Sequence, residues 1–157
     1  MSVHEQIRRS LVLFVQRLDD QDFEGCAELF ASTGRYVSHG EEVSGPAAIR
    51  RHLEGGYRAQ PKGWRTLHHL SSPVIEPNGD SSAEVVTDLV FYDCFDDLPW
   101  GVREIGRYRD QMVLVDGQWL FAEKRVEADS FVRQSSGRTK TADPLPAKRP
   151  ASQEVAS

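Results

Sequence analysis

Ala83-Glu84-Val85-Val86-Thr87-Asp88-Leu89-Val90-Phe91-Tyr92-Asp93 is the stretch that decides the architecture. Side chains of a strand alternate between two faces. Ala83, Val85, Thr87, Leu89, Phe91 and Asp93 therefore share one face, and Glu84, Val86, Asp88, Val90 and Tyr92 share the other. The period of two holds across the whole second half of the chain. Strands are predicted over 64–76, 82–94, 102–115 and 118–129, with Asn78-Gly79-Asp80 and Asp116-Gly117 as turns.

The first half has a different rhythm. Ile7, Leu11, Phe14, Val15 and Leu18 line one face of a helix over residues 4–18. Asp19-Asp20-Gln21-Asp22 ends it, and Asp22 is a natural N-cap for a second helix from Phe23 to Phe30. A short strand over Thr33–Gly40 turns at Gly40. Pro46 opens a third helix, where its missing N–H costs nothing, and Gly55-Gly56 is the expected end. Three helices followed by an antiparallel meander make an α+β fold, helices packed on one face of a strongly curved sheet.

At 157 residues the chain fits one domain around a single core, expected over 1–132. Residues 133–157 carry three prolines and almost no large apolar side chains, so this tail is expected to be disordered or ordered only against a partner. A net charge of −5 gives no support to a nucleic-acid partner. No apolar run is long enough to cross a bilayer, and the amino terminus lacks the apolar core of a signal peptide. The reading is a cytoplasmic protein whose two cysteines, Cys26 and Cys94, are reduced thiols, Cys26 in a helix interface.

His68-His69 opens the extended run His68-His69-Leu70-Ser71-Ser72-Pro73-Val74-Ile75. Neighbours in a strand face opposite ways, so at most one of these imidazoles can enter a pocket. An imidazole on the wall of an apolar cavity is a candidate general base, since histidine changes charge near neutral pH. The competing reading is a solvent-facing or structurally bonded ring. Two histidines on opposite faces cannot share one ion, and no metal site is expected.

Six local signatures follow one another: Leu18–Phe23, Leu29–Gly34, Gly45–Ile49, His68–Ile75, Gly106–Asp110 and Asp116–Phe121. In that order they resemble the nuclear transport factor 2-like superfamily, in particular its SnoaL-like branch. The resemblance spans about residues 4–130 and implies a cone-shaped α+β barrel. The branch includes scytalone dehydratase, bile acid 7α-dehydratase and polyketide cyclases, alongside small subunits of ring-hydroxylating dioxygenases.

The resemblance, not the spacing, supplies residue roles. It implies that His68 is the general acid/base and Asp19 its orienting carboxylate, while helix capping remains the competing role for Asp19. It implies that the odd-numbered face of 83–93 is the inner one. Tyr108 matches a pocket position, and Tyr36 and Tyr57 lie where a phenol can reach the cavity. Phe14, Leu53, Leu89 and Phe91 are expected as apolar walls, with Asp93 at the mouth. Phe14 stands where a relative has a tyrosine, Ser72 where many have asparagine, and a second acid near Phe91 is missing.

The implied activity is a cofactor-free lyase or isomerase of dehydratase or cyclase type. Its substrate would be a small, largely apolar, cyclic carbonyl compound of polyketide or steroid kind. The other reading is a non-catalytic small subunit of a ring-hydroxylating oxygenase, or a binding protein. Val86, Val90 and Tyr92 would give the outer sheet face an apolar patch suited to a homodimer or homotrimer.

Overall fold

A computed structural model describes residues 1–96 and 98–131. The expected tail at 133–157 lies outside the described residues. Three helices come first: α1 (Val3–Asp19), α2 (Phe23–Ala27) and, after two strands, α3 (Pro46–Arg58). The strands are β1 (Phe30–Ser38), β2 (Glu41–Ser44), β3 (Trp64–Leu70), β4 (Val74–Asn78), β5 (Ser82–Phe95), β6 (Gly101–Val115) and β7 (Gln118–Phe131). The architecture is α+β, with helices on a curved, mostly antiparallel sheet ordered β2-β1-β7-β6-β5-β3. The sheet does not close, so the expected barrel is an open one with β2 and β3 as edges.

Helix α1 starts at a reciprocal cap. The Ser2 hydroxyl accepts from the Glu5 backbone N–H, and the Ser2 N–H donates to the Glu5 carboxylate at 2.6 Å. Its apolar face, Ile7, Leu11, Phe14, Val15 and Leu18, is buried against the sheet. Asp22 caps α2 as expected, accepting from the Gly25 N–H at 2.9 Å. That helix stops at Ala27 rather than Phe30. The Leu29 carbonyl accepts from the Phe121 N–H at 2.8 Å, and Phe30 pairs with Phe121. Strand pairing therefore takes residues that helical periodicity had claimed.

The β1–β7 pairing is parallel, which the meander reading missed. The hairpin from β1 to β2 is antiparallel, joined by His39-Gly40 with φ of +52° and +82°. Two consecutive positive φ values make this the tight turn whose twist matches antiparallel strands. Helix α3 also runs through Gly55-Gly56 instead of ending there. Glycine within a helix costs about 1 kcal/mol relative to alanine, and here it is tolerated.

The strand expected over 64–76 is broken. Leu70 pairs with Leu89, while Val74 pairs with Val86. Three residues, Ser71-Ser72-Pro73, thus oppose two on β5, a bulge that reverses which parity faces inward. Even positions of β3 point in, whereas Ile75 of β4 does and Val74 is 60% exposed. A second register shift lies between Gln111 and Met112 opposite Phe121 and Glu123. It carries β7 from Trp119 and Phe121 inward to Lys124 inward.

Candidate functional site

Helices α1 and α3 and the concave face of the sheet enclose a cavity of about 500 Å³, a volume suited to a small organic ligand. Its walls include Leu18, Leu53, Leu89, Phe91, Trp64 and Val126, with three tyrosines, Tyr36, Tyr57 and Tyr108, among the polar contributors. His68 enters it from β3, and His69 is exposed on the outer face. Even positions of β3 face inward, so the bulge at Ser71–Pro73 comes after His68 and leaves its orientation intact.

Asp19 is the last residue of α1, one turn beyond Val15 and beside Leu18. It does not cap a helix. Its carboxylate receives the His68 backbone N–H at 2.9 Å, the His68 Nδ1–H at 2.6 Å and the Thr66 hydroxyl at 2.8 Å. The Tyr57 hydroxyl in turn donates to Thr66 at 2.9 Å. Burial pushes the Asp19 carboxyl up, but these bonds and the imidazole charge outweigh it and hold its pKa below the ordinary carboxylate range. A carboxylate can only accept, so Nδ1 carries the ring proton and Nε2 keeps its lone pair. The ring is further fixed by stacking on Phe91, 4.5 Å between centroids at 13°.

The three phenols differ in what they can offer. Tyr57 is committed to Thr66, and burial raises its pKa far above the usual range. Tyr36 is pushed up to about 12 by burial. None of the described residues bonds the Tyr108 hydroxyl, and burial raises its pKa as well. Tyr108 is therefore a neutral donor with its proton unassigned to the protein. Beneath its ring, 3.6 Å from the centroid, sits the Lys124 ammonium. Lys124 is fully buried and pairs with buried Asp110 at 3.0 Å. Burial raises the Asp110 pKa and lowers that of Lys124.

Two expected site residues are placed differently. Phe14 does not line the cavity; it is fully buried behind the wall, among Phe30, Tyr36, Phe121 and the Lys124 ammonium. Position 14 faces the core because its ring packs among Phe30 and Tyr36 of β1 and Phe121 of β7. Asp93 is not at the mouth but 5% exposed, where it accepts the Trp64 indole N–H and an Arg103 N–H, both at 2.9 Å. It holds two residues that line the cavity and is not itself among them. Leu53, Leu89, Phe91, Tyr36, Tyr57 and Tyr108 all line it.

Sequence reading missed a second polar group in the same cavity. Glu104 of β6, 5% exposed, accepts the His39 Nε2–H at 3.1 Å, and the His39 Nδ1 receives the Ser38 hydroxyl at 2.6 Å. Position 91 lacks the acid found in a relative, yet Glu104 is its cross-strand neighbour. No local signal marks Glu104; only the β5–β6 register does. Among the described residues no cluster of His, Cys, Asp and Glu has the makings of a metal site. No helix among them is long and apolar enough to cross a membrane.

Comparison with solved structures gives the same architecture. The protein named Putative Scytalone Dehydratase from Novosphingobium aromaticivorans superposes with a TM-score of 0.69 at 26% identity, covering 87% of this chain and 94% of its own. ActVI-ORFA from Streptomyces coelicolor gives 0.74 at 20% identity, with 82% and 98% covered. A nuclear transport factor 2-like protein with a cystatin-like fold, also from Novosphingobium aromaticivorans, gives 0.71 at 22%, with 80% and 81% covered. No curated protein matches the chain. The model of the SnoaL-like domain matches residues 1–125, and its family includes polyketide cyclases and dehydratases. Open curved sheet, helical cover and matched sequence agree: the chain belongs to the SnoaL-like domain family.

Proposed function

We propose that this protein is a cofactor-independent lyase of dehydratase type, acting on a small cyclic carbonyl compound with a hydroxyl two carbons from the carbonyl. The single observation that carries this reading is the 2.6 Å bond between His68 Nδ1 and Asp19 with the rest of the ring in an apolar cavity. His68 Nε2 takes the proton from the carbon next to the carbonyl. Asp19 stabilises the imidazolium that forms. The developing enolate oxygen takes a hydrogen bond from the Tyr108 hydroxyl. The imidazolium then returns the proton to the hydroxyl as its C–O bond breaks. A C–H and a C–O bond are lost, a C=C bond is gained, and water leaves.

A direct test uses 3-hydroxy-1-tetralone, whose dehydration yields fluorescent 1-naphthol. The wild-type protein should convert it, and His68→Gln, with unchanged circular dichroism, should lower turnover by about 10³-fold. A folded His68→Gln protein with full turnover would refute the reading. The proposal includes assembly as a homodimer or homotrimer through the outer sheet face. Val86, Val90 and Tyr92 are half-buried there, with Leu67 51% and Ile105 44% exposed beside them. Sedimentation of wild type and Ile105→Lys checks this: the wild type should run as an oligomer and the variant as a smaller species.

A further inference from the structure

The cross-strand register lays His68, Phe91 and Glu104 in one row: His68 pairs with Phe91, and Phe91 pairs with Glu104. Neighbouring strands are about 4.8 Å apart, so the His68 and Glu104 backbones stand about 10 Å from each other. Both side chains line the cavity, and the Phe91 ring lies between them. That span is the length of a two-ring compound. A ligand lying on Phe91 with its reacting end at His68 would bring its far end to Glu104.

Glu104 is built to meet a donor there. The residue is 5% exposed, and His39 takes only one of its carboxylate oxygens, Oε2. None of the described residues bonds Oε1, and that atom is not sealed from the cavity. Its orientation is held from behind. Ser38 donates to His39 Nδ1, and His39 Nε2–H donates to Glu104. This hydroxyl-led chain stands on the other side of Phe91 from the Thr66–Asp19 bond behind His68. Arg103, the adjacent cation, also lines the cavity but is bound to Asp93 at 2.9 Å. His39 itself sits at φ +52° in the β1–β2 turn, a conformation that few non-glycine residues adopt. Such backbone placement concentrates at functional positions.

We propose that Glu104 is a specificity-determining residue: it accepts a hydrogen bond from a hydroxyl on the far ring of a fused bicyclic substrate, with His39 as its positioning residue. This rests on, and deepens, the reading of His68 as the reacting group.

The test is calorimetric binding of two matched probes, 6-hydroxy-1-tetralone and 1-tetralone, which differ only in the far hydroxyl. A hydrogen bond to a buried carboxylate should make the hydroxylated probe bind about tenfold tighter or more to wild type. In Glu104→Gln the ratio should fall to about threefold or less. His39→Asn, chosen because asparagine suits a positive φ, should keep its melting temperature and still lose part of the ratio. His68→Gln should leave the ratio as in wild type. An unchanged ratio in folded Glu104→Gln, or failure of wild type to bind the hydroxylated probe more tightly, would overturn the proposal. Neither result bears on turnover by His68, whose failure would show instead as an active His68→Gln protein with the hydroxyl preference intact.

Discussion

Replacing Asp19 by asparagine should reverse the tautomer of His68 and remove the base from the cavity. The carboxylate accepts three donors, the His68 N–H, the Nδ1–H and the Thr66 hydroxyl. An amide has one oxygen to accept with, and its NH₂ can only donate. The NH₂ turned toward the ring would find Nδ1 as acceptor, so the ring proton moves to Nε2. Nε2 would then face the substrate as a donor. Wrong-tautomer substitutions of this kind cost about 10⁴-fold in kcat elsewhere, and a loss of that order is expected here with 3-hydroxy-1-tetralone. The donors left mismatched should cost about 1–3 kcal/mol of stability. The assay needs no substrate: ¹⁵N-edited spectra of the imidazole should show Nδ1 protonated in wild type and Nε2 protonated in Asp19→Asn. Nδ1 protonated in both would refute the reasoning. A pH arm follows from the sign of the shift. The folded Asp19 pKa lies below its ordinary value of 3.8, so its contribution is full above that value. It disappears as pH falls through the folded pKa. Urea unfolding should therefore show the gap between wild type and Asp19→Asn closing only in acid.

Tyr108→Phe should reduce turnover by about 10²-fold, as removal of one oxyanion donor does. It should leave stability nearly unchanged, because the lost hydroxyl bonds none of the described residues. Lys124→Met should destabilise by about 3–5 kcal/mol, since it strands Asp110 in the core. Adding Asp110→Asn should recover much of that, and denaturant unfolding of the two variants reads both effects.

Much of this fold is legible in periodicity. The helical face of α1, the Asp22 cap and the alternation of β5 all follow from residue type and spacing. What is not legible depends on partners far along the chain. Phe30 leaves a helical pattern because Phe121 pairs with it. Ser71–Pro73 bulges because β5 offers two positions for three residues. Lys124 is buried because a register shift rotates β7 at mid-length, and nothing local predicts a lysine in a core. The site divides the same way. His68 and Asp19 came from family likeness and are joined by geometry, whereas Glu104 and His39 become neighbours only through register. Phe14 and Asp93 show the limit of reading a face without depth: each points inward, and each stops behind the wall.

The parallel match of β1 with β7 has a bearing on biogenesis. Arg35 and Glu123, ion-paired across that seam, are 88 positions apart. Contacts of such separation slow folding, because a long loop must be restrained before any of them forms. Everything from α1 to β6 must wait, during synthesis, for β7 to emerge and take its central lane. Until then β1 and β6 both present unpaired edges, the surfaces on which nascent chains aggregate. Slower translation lengthens that exposure, so a cell making this protein at high level should gain more soluble product from a chaperone that covers nascent edges than from added ligand.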